Sequence, residues 1–166
     1  MTVPNDLLGD TMTVLTADLY DERGDRLQSV SVQFQSVGGN ARFSGKIRTV
    51  ACFEDNALLK AVLARPGDGA VLVVDGGGSL QTALMGDMIA ASAVAGGWAG
   101  VIINGAIRDR VAIGELPLGV KALGSNPRTS SKTGKGSADV VLEFAGVRFV
   151  PGRMVYCDED GILVER

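Results

Sequence analysis

Two continuous apolar runs, Ala70-Val71-Leu72-Val73-Val74 and Ala99-Gly100-Val101-Ile102-Ile103, set the strongest limit on how this chain can fold. Neither run alternates, and an unbroken series of aliphatic residues suits a strand covered on both faces, as in a parallel sheet. Parallel neighbours need a crossover between them, and a helix is predicted there from about Gly86 to Ala95, closed by the Gly96-Gly97 break. Each run ends in a glycine-containing turn, Asp75-Gly76-Gly77-Gly78-Ser79 and Asn104-Gly105. The pattern is a β-α-β unit, which places the chain in the α/β class.

Around this unit the local signals are shorter. Thr16 to Asp21 opens with a capping threonine and early acids, so a short helix ending near Gly24 is expected, within an N-terminal lead-in over 1–28. Ser29 to Phe34 alternates and reads as a strand, followed by a turn at Gly38-Gly39 and a second strand between Ala41 and Phe53. Glu54-Asp55-Asn56 places acids before a helix from Ala57 to Ala64, stopped by Arg65-Pro66-Gly67. Arg108 to Glu115 should form one or two helical turns, and Gly119 to Leu123 a strand. The Ser-, Thr- and Gly-rich segment 124–137 reads as a long mobile loop, a type that often carries function. Val140–Phe144, Val147–Val150 and Ile162–Val164 read as strands, with turns at Ala145-Gly146 and Asp160-Gly161.

A length of 166 residues suits one domain. Hydrophobic residues at 46% and charged residues at 21% exclude a largely disordered chain. The uncharged stretch Met88–Ile107 is broken by Ser92, Gly96-Gly97 and Asn104, so it reads as helix, break and strand rather than a bilayer span. Met1–Asp6 has neither the basic start nor the apolar run of a signal peptide, and a cytoplasmic protein is expected. Net charge is −3, which gives no global attraction to nucleic acid or to an anionic membrane. Cys52 and Cys157 lack CxxC spacing and read as buried apolar residues. The chain has no histidine. Ser-His-Asp and Cys-His catalysis, imidazole bases and histidine-held zinc are therefore excluded, and polar chemistry falls to carboxylates, Lys, Arg, hydroxyls, backbone amides or an oxygen-held metal.

The triple glycine after a buried strand invites a dinucleotide or S-adenosylmethionine reading, but a GxGxxG starting at Gly76 needs glycine where Gln81 stands. A tight turn that shapes the site fits better. Gly134-Lys135 fails as a P-loop because Thr129 occupies the position of the first glycine. The sharper constellation pairs Gly86-Asp87 at a helix start with Arg108-Asp109 just beyond a neighbouring parallel strand, where such sheets collect ligands. Free N–H groups of Gly86, Asp87, Met88 and Ile89 would face an anion. Arg108 adds a forked permanent cation and Asp109 a hard oxygen ligand, a set that suits a metal-bound small carboxylate. The same residues also fit an exposed helix-start pair, with Asp87 as an N-terminal cap. Arg128, Lys132 and Lys135 form a local cationic group that fits a phosphate or RNA contact, or simply a solvated loop. Trp98 and Phe144 read as core or subunit-interface residues.

Phe53-Glu54-Asp55-Asn56, Val73 to Ser79, Asn104 to Asp109 and Lys121 to Pro127 resemble the RraA-like family, to which the class II pyruvate aldolases of this type belong, and the likeness runs from about Ser29 to Val164. The resemblance implies a swivelling β/β/α-type single domain, a central mixed sheet flanked by helices, assembled as a homotrimer with clefts between subunits. It implies two activities. One is divalent-metal-dependent cleavage of 4-hydroxy-4-methyl-2-oxoglutarate to pyruvate, accompanied by oxaloacetate decarboxylation. The other is non-catalytic inhibition of a ribonuclease E-type enzyme by protein binding. Members have also carried a menaquinone methyltransferase label, which the failed cofactor fingerprint does not support.

By the same resemblance, Gly86 to Ile89 match the backbone cradle for the substrate carboxylate, Arg108 the substrate arginine, and Asp109 the protein ligand of a Mg²⁺ or Mn²⁺ ion. Asp87 matches the acid that positions a water beside that ion. The family's aldolase pattern has an acid where Ala112 stands, and Glu115 comes three residues late. The sequence also stops at Arg166, before the extension that brings a neighbouring subunit's acid into the dedicated aldolases. Weak catalysis is expected, with decarboxylation spared more than aldol cleavage.

Overall fold

The computed structural model describes residues 14–166. The lead-in before residue 14, including the segment read for a signal peptide, lies outside the described residues. In chain order the elements are α1 (Thr16–Arg23), β1 (Leu27–Ser29), β2 (Gln35–Ser36), β3 (Phe43–Ala51), α2 (Ala57–Leu63), β4 (Val71–Asp75), β5 (Ala83–Met85) and α3 (Asp87–Ala95). Then follow β6 (Gly100–Ile107), α4 (Arg110–Ile113), β7 (Gly119–Ser125), β8 (Ser137–Ala138), β9 (Leu142–Phe144), β10 (Val147–Phe149), β11 (Met154–Asp158) and β12 (Gly161–Glu165).

The two apolar runs are β4 and β6, and they pair in parallel as predicted, Val71 beside Gly100 through Asp75 beside Asn104. β3 and β7 extend the parallel set on either side. Antiparallel β11, β12 and β1 continue beyond β3, and β2 closes the other edge against β7, giving one mixed sheet in the order β1-β12-β11-β3-β4-β6-β7-β2. Alternate residues of β4 point to different cores. Leu72 and Val74 meet Leu59, Val62 and Leu63 of α2 and Ala90 and Ala93 of α3, whose small side chains let that helix lie close to the sheet. Val71 and Val73 meet Phe149 of β10, Val155 of β11 and Val164 of β12. Because strands from one end of the sheet share an apolar cluster with its middle, the sheet must fold back over itself at β3. The layers are helix, parallel sheet and antiparallel strands, in agreement with the predicted β/β/α architecture, and two-sided burial explains why β4 and β6 carry no alternation.

Several local expectations are corrected. Thr16 is not a cap: Leu15 holds the N-cap position of α1, and the Thr16 N–H and hydroxyl both donate, at 2.7 Å, to the Asp158 carboxylate. The alternating stretch Ser29–Phe34 is not one strand. Only Leu27–Ser29 and Gln35–Ser36 find ladder partners; Val30 is buried and Phe34 packs against the second core, but Val32 between them is exposed, so the alternation marks neither a ladder nor one continuous buried face. β6 does not stop at Ile103. It runs through Asn104-Gly105 because β5 and β7 supply partners for the backbone at Ala106 and Ile107. β5 and β11 have no counterpart in the sequence reading: one is three residues long, and the other mixes polar and apolar residues as Met-Val-Tyr-Cys-Asp. Cys52 and Cys157 are buried free thiols, as expected.

Candidate active site

The site grows out of the pairing of β5 with β6. Met85 lies beside Ile107 in parallel register, so Gly86 and Arg108 leave the sheet side by side, and the Arg108 N–H donates to the Met85 carbonyl at 2.9 Å. One chain turns at once into α3, whose N-cap is Gly86 without a side-chain cap. The other passes through Asp109, held in the left-handed region at φ 61°, ψ 41°, and enters α4. Aspartate tolerates that conformation better than most residues, and such backbone strain gathers at functional positions.

The left-handed turn aims the Asp109 carboxylate away from its own helix and at α3. Its Oδ2 accepts the Asp87 N–H at 3.1 Å. Asp87 is therefore the first helical residue and not the cap, which corrects that reading; the capping oxygen comes from Asp109 across the gap. The approach is close enough that Gly86 can carry no side chain. A Cβ there would stand 2.7 Å from Asp109 Oδ2 and 3.4 Å from both Cγ and Nε of Arg108. Gly86, Asp87, Met88, Ile89, Arg108 and Asp109, all singled out in the sequence, line one cleft of about 330 Å³. The Arg108 guanidinium also donates to the Pro127 carbonyl at 3.3 Å. Arg110 turns elsewhere, to Gln35 and Ser125, and neither Ala112 nor Glu115 is among the lining residues.

The opposite wall was missed in the sequence. Asn56, the N-cap residue of α2, and Lys60, one turn further on, line the cleft, and no local sequence signal points to it. The cationic trio of the 124–137 segment is divided: Lys132 lines the cleft, Lys135 lines a separate groove beside Cys52 and Asp75, and Arg128 lines neither. The segment itself is tied down by hydrogen bonds. Asp55 accepts the Thr133 hydroxyl and the N–H groups of Thr133 and Gly134 at 2.8 and 3.1 Å, and Ser130 Oγ donates to the Ala83 carbonyl at 2.7 Å. The Thr133 hydroxyl, helped by the amides of Thr133, Gly134 and Ala57, holds the Asp55 carboxyl down at about 2. Burial, aided by the nearby Asp55 and Asp75 charges, pushes the Cys52 thiol up to about 12, so it is no nucleophile at neutral pH.

Among the described residues no three His, Cys, Asp or Glu side chains cluster as a metal-binding group. An ion that keeps most of its water and takes one or two carboxylates is another matter. Asp109 spends Oδ2 on the Asp87 amide, and its second oxygen, with the half-buried Asp87 at the adjoining helix start, is the type of hard oxygen donor such an ion takes.

The sequence profile of the RraA-like family, described as Aldolase/RraA, matches residues 16–164. The chain belongs to the RraA-like family. It is similar to a solved structure described as an S-adenosylmethionine:2-dimethylmenaquinone methyltransferase from Geobacillus kaustophilus, at 53% identity and a TM-score of 0.90, covering 92% of this chain and 94% of that one. It is similar to the RNA-processing inhibitor RraA from Thermus thermophilis at 47% identity and a TM-score of 0.89, covering 93% of each chain. Streptomyces coelicolor RraAS2, described as an unusual member of the RNase ES inhibitor RraA protein family, matches at 30% identity and a TM-score of 0.74, covering 99% of this chain and 86% of that one. The RraA-like family thus joins an aldolase description with relatives named as inhibitors. In this RraA-like chain the Gly76–Gly78 turn folds on Asn104 and Asp75 and leads into strand β5 instead of opening a helix, so the amide row of a dinucleotide-type fingerprint does not form there. No helix among the described residues is long and apolar enough to cross a membrane.

Proposed function

We propose that this protein is a divalent-metal-dependent carbon–carbon lyase that cleaves 4-hydroxy-4-methyl-2-oxoglutarate to pyruvate and decarboxylates oxaloacetate through a shared pyruvate enolate. One observation carries the reading: Asp109 reaches across to the Asp87 amide at 3.1 Å, beside Arg108, at a gap only glycine leaves open. A purely structural helix start needs none of these three features together. Asp109 is the residue that would hold Mg²⁺ or Mn²⁺, with Asp87 beside it. When bound, such an ion supplies Lewis-acid polarisation of the 2-oxo group.

The chain's own residues do the rest. The free amides at the start of α3, Met88 and Ile89 included, bind the substrate carboxylate where the helix end is positive. Arg108 donates to the oxyanion that develops as the carbon–carbon bond breaks, a contribution of about 3–4 kcal/mol for a well-placed donor. Asp87, directly or through a water, takes the hydroxyl proton in the aldol reaction. Decarboxylation starts without that proton transfer, so it should be the more robust of the two activities with Ala112 in place of an acid. The exposed Met88 and Val111 beside the site offer apolar surface for subunit contacts in a homotrimer.

The test is pyruvate release from oxaloacetate and from the aldol substrate, measured with Mg²⁺ and with chelator. Release that stops with chelator and in Arg108→Ala and Asp109→Ala is the expected result; wild-type rates in both variants would remove the assignment. A second reading, inhibition of a ribonuclease E-type enzyme by surface docking, is favoured by the 47% identical relative named as an RNA-processing inhibitor. Slowing of that ribonuclease by micromolar protein, undiminished in Arg108→Ala, would support it, and no binding at that concentration would eliminate it.

A further inference from the structure

The cleft carries more positive charge than the reacting end of a 2-oxo acid needs. Lys60 and Lys132 line the same cavity as Arg108, against Asp87 and Asp109 as its acids. With a divalent cation bound, a monoanionic ligand leaves most of that excess unanswered, whereas a dianion offsets the greater part of it. Lys132 is also held in place by its neighbours. The Asn56 N–H donates to the Ser131 carbonyl at 3.0 Å, the Ser131 N–H donates to the Glu54 carbonyl at 2.9 Å, and on the other side Thr133 and Gly134 are fixed to Asp55. The Lys132 ammonium then reaches the buried Asn56 side-chain oxygen at 3.3 Å. An ammonium has three donors, so two remain for a ligand in the cleft.

We propose that Lys132, assisted by Lys60, forms a second anion subsite that binds the distal carboxylate of the substrate and makes the site selective for 2-oxo dicarboxylic acids over 2-oxo monocarboxylic acids. The proposal rests on the lyase reading, since Arg108 and the α3 amides must hold the first carboxylate and the 2-oxo group. Asn56 and Asp55 act as positioning residues: the first orients the ammonium, and the second fixes the turn that presents it.

Binding separates the subsite from the chemistry. The full chain in Mg²⁺ is titrated calorimetrically with 2-oxoglutarate and with 2-oxobutyrate, neither of which can undergo the proposed cleavage or decarboxylation. Wild type should prefer 2-oxoglutarate. Lys132→Ala should weaken 2-oxoglutarate by about tenfold, the size of one charge-assisted hydrogen bond, and change 2-oxobutyrate by less than about twofold. Lys132→Arg should recover most of the loss. Lys132 is exposed, so an unchanged melting temperature is expected in both variants. Equal weakening of the two ligands, no weakening of either, or a wild type without preference overturns the subsite. If that wild type still releases pyruvate from oxaloacetate, the lyase reading stands alone. If it binds neither acid and releases no pyruvate, both proposals fall.

Discussion

Asp109 caps a helix to which it does not belong: its Oδ2 accepts the N–H of Asp87, the first residue of α3, at 3.1 Å. The carboxylate therefore has a structural oxygen and a free one, and the two roles can be separated by substitution. Asp109→Asn keeps an oxygen for the amide and tolerates the left-handed backbone, but it lacks the charge a cation needs. Asp109→Ala lacks both. Thermal denaturation should show Asn close to wild type and Ala destabilised by about 1–2 kcal/mol, the usual size of a lost cap. Mn²⁺ binding followed by electron paramagnetic resonance should be lost in both variants. Retained Mn²⁺ affinity in Asp109→Asn would assign the ion to other ligands.

Gly86 is the narrowest point of the same arrangement. Its φ of −119° is open to any residue, so alanine introduces no backbone strain. The added Cβ must instead displace the Asp109 carboxylate, 2.7 Å away, or the Arg108 side chain at 3.4 Å. Gly86→Ala is expected to lower kcat/KM for oxaloacetate on the order of a hundredfold, the scale of an ångström-level misplacement, and to cost at most the lost helix cap in stability, about 1–2 kcal/mol. Steady-state kinetics beside a melting curve give both values. Wild-type activity in this variant would show that the close approach has no catalytic purpose.

The fold was most legible where one physical cause dominates. Val71 to Val74 and Val101 to Ile103 lie between two cores, and continuous apolarity is the direct imprint of that burial. The convergence of Gly86-Asp87 and Arg108-Asp109 on one cleft was legible for a different reason: these pairs mark a helix start and a strand end, and the topology of parallel sheets brings such ends together. Lys60 and Asn56 were not legible because they reach the cleft only through the packing of α2 beside α3. Val30 and Phe34 misled because each packs against the second core without a ladder partner, while Val32 between them is exposed. Thr16 misled because its hydroxyl is committed to Asp158, far away in sequence, which no local pattern encodes.

By the resemblance to the aldolases, Ala112, on the short helix that follows Asp109 and outside the cleft lining, takes the place of an acid. Restoring the acid should act on the proton transfer that aldol cleavage needs and decarboxylation does not. Ala112→Asp is expected to raise the ratio of aldol cleavage to oxaloacetate decarboxylation by on the order of tenfold, a modest share of what a positioned general base can contribute. Parallel assays of both substrates read that ratio directly. An unchanged ratio would mean that the position does not govern the proton transfer.

Asp55 should make stability depend on acid in a defined window. Its carboxyl is held at about 2 by the Thr133 hydroxyl and surrounding amides, against an ordinary value of 3.8. The folded state therefore binds the proton more weakly than the unfolded chain does. The contribution of the charged group is complete above the unfolded value and fades as pH falls from about 4 towards 2. Asp55→Asn should lower the urea midpoint at pH 7, and the gap from wild type should narrow on descent through that window. Because Asp55 fixes the turn that presents Lys132, the same variant should also weaken 2-oxoglutarate binding at neutral pH while sparing 2-oxobutyrate. A stability gap that stays constant between pH 7 and 2.5 would show that the carboxylate charge contributes nothing beyond the shape of the side chain.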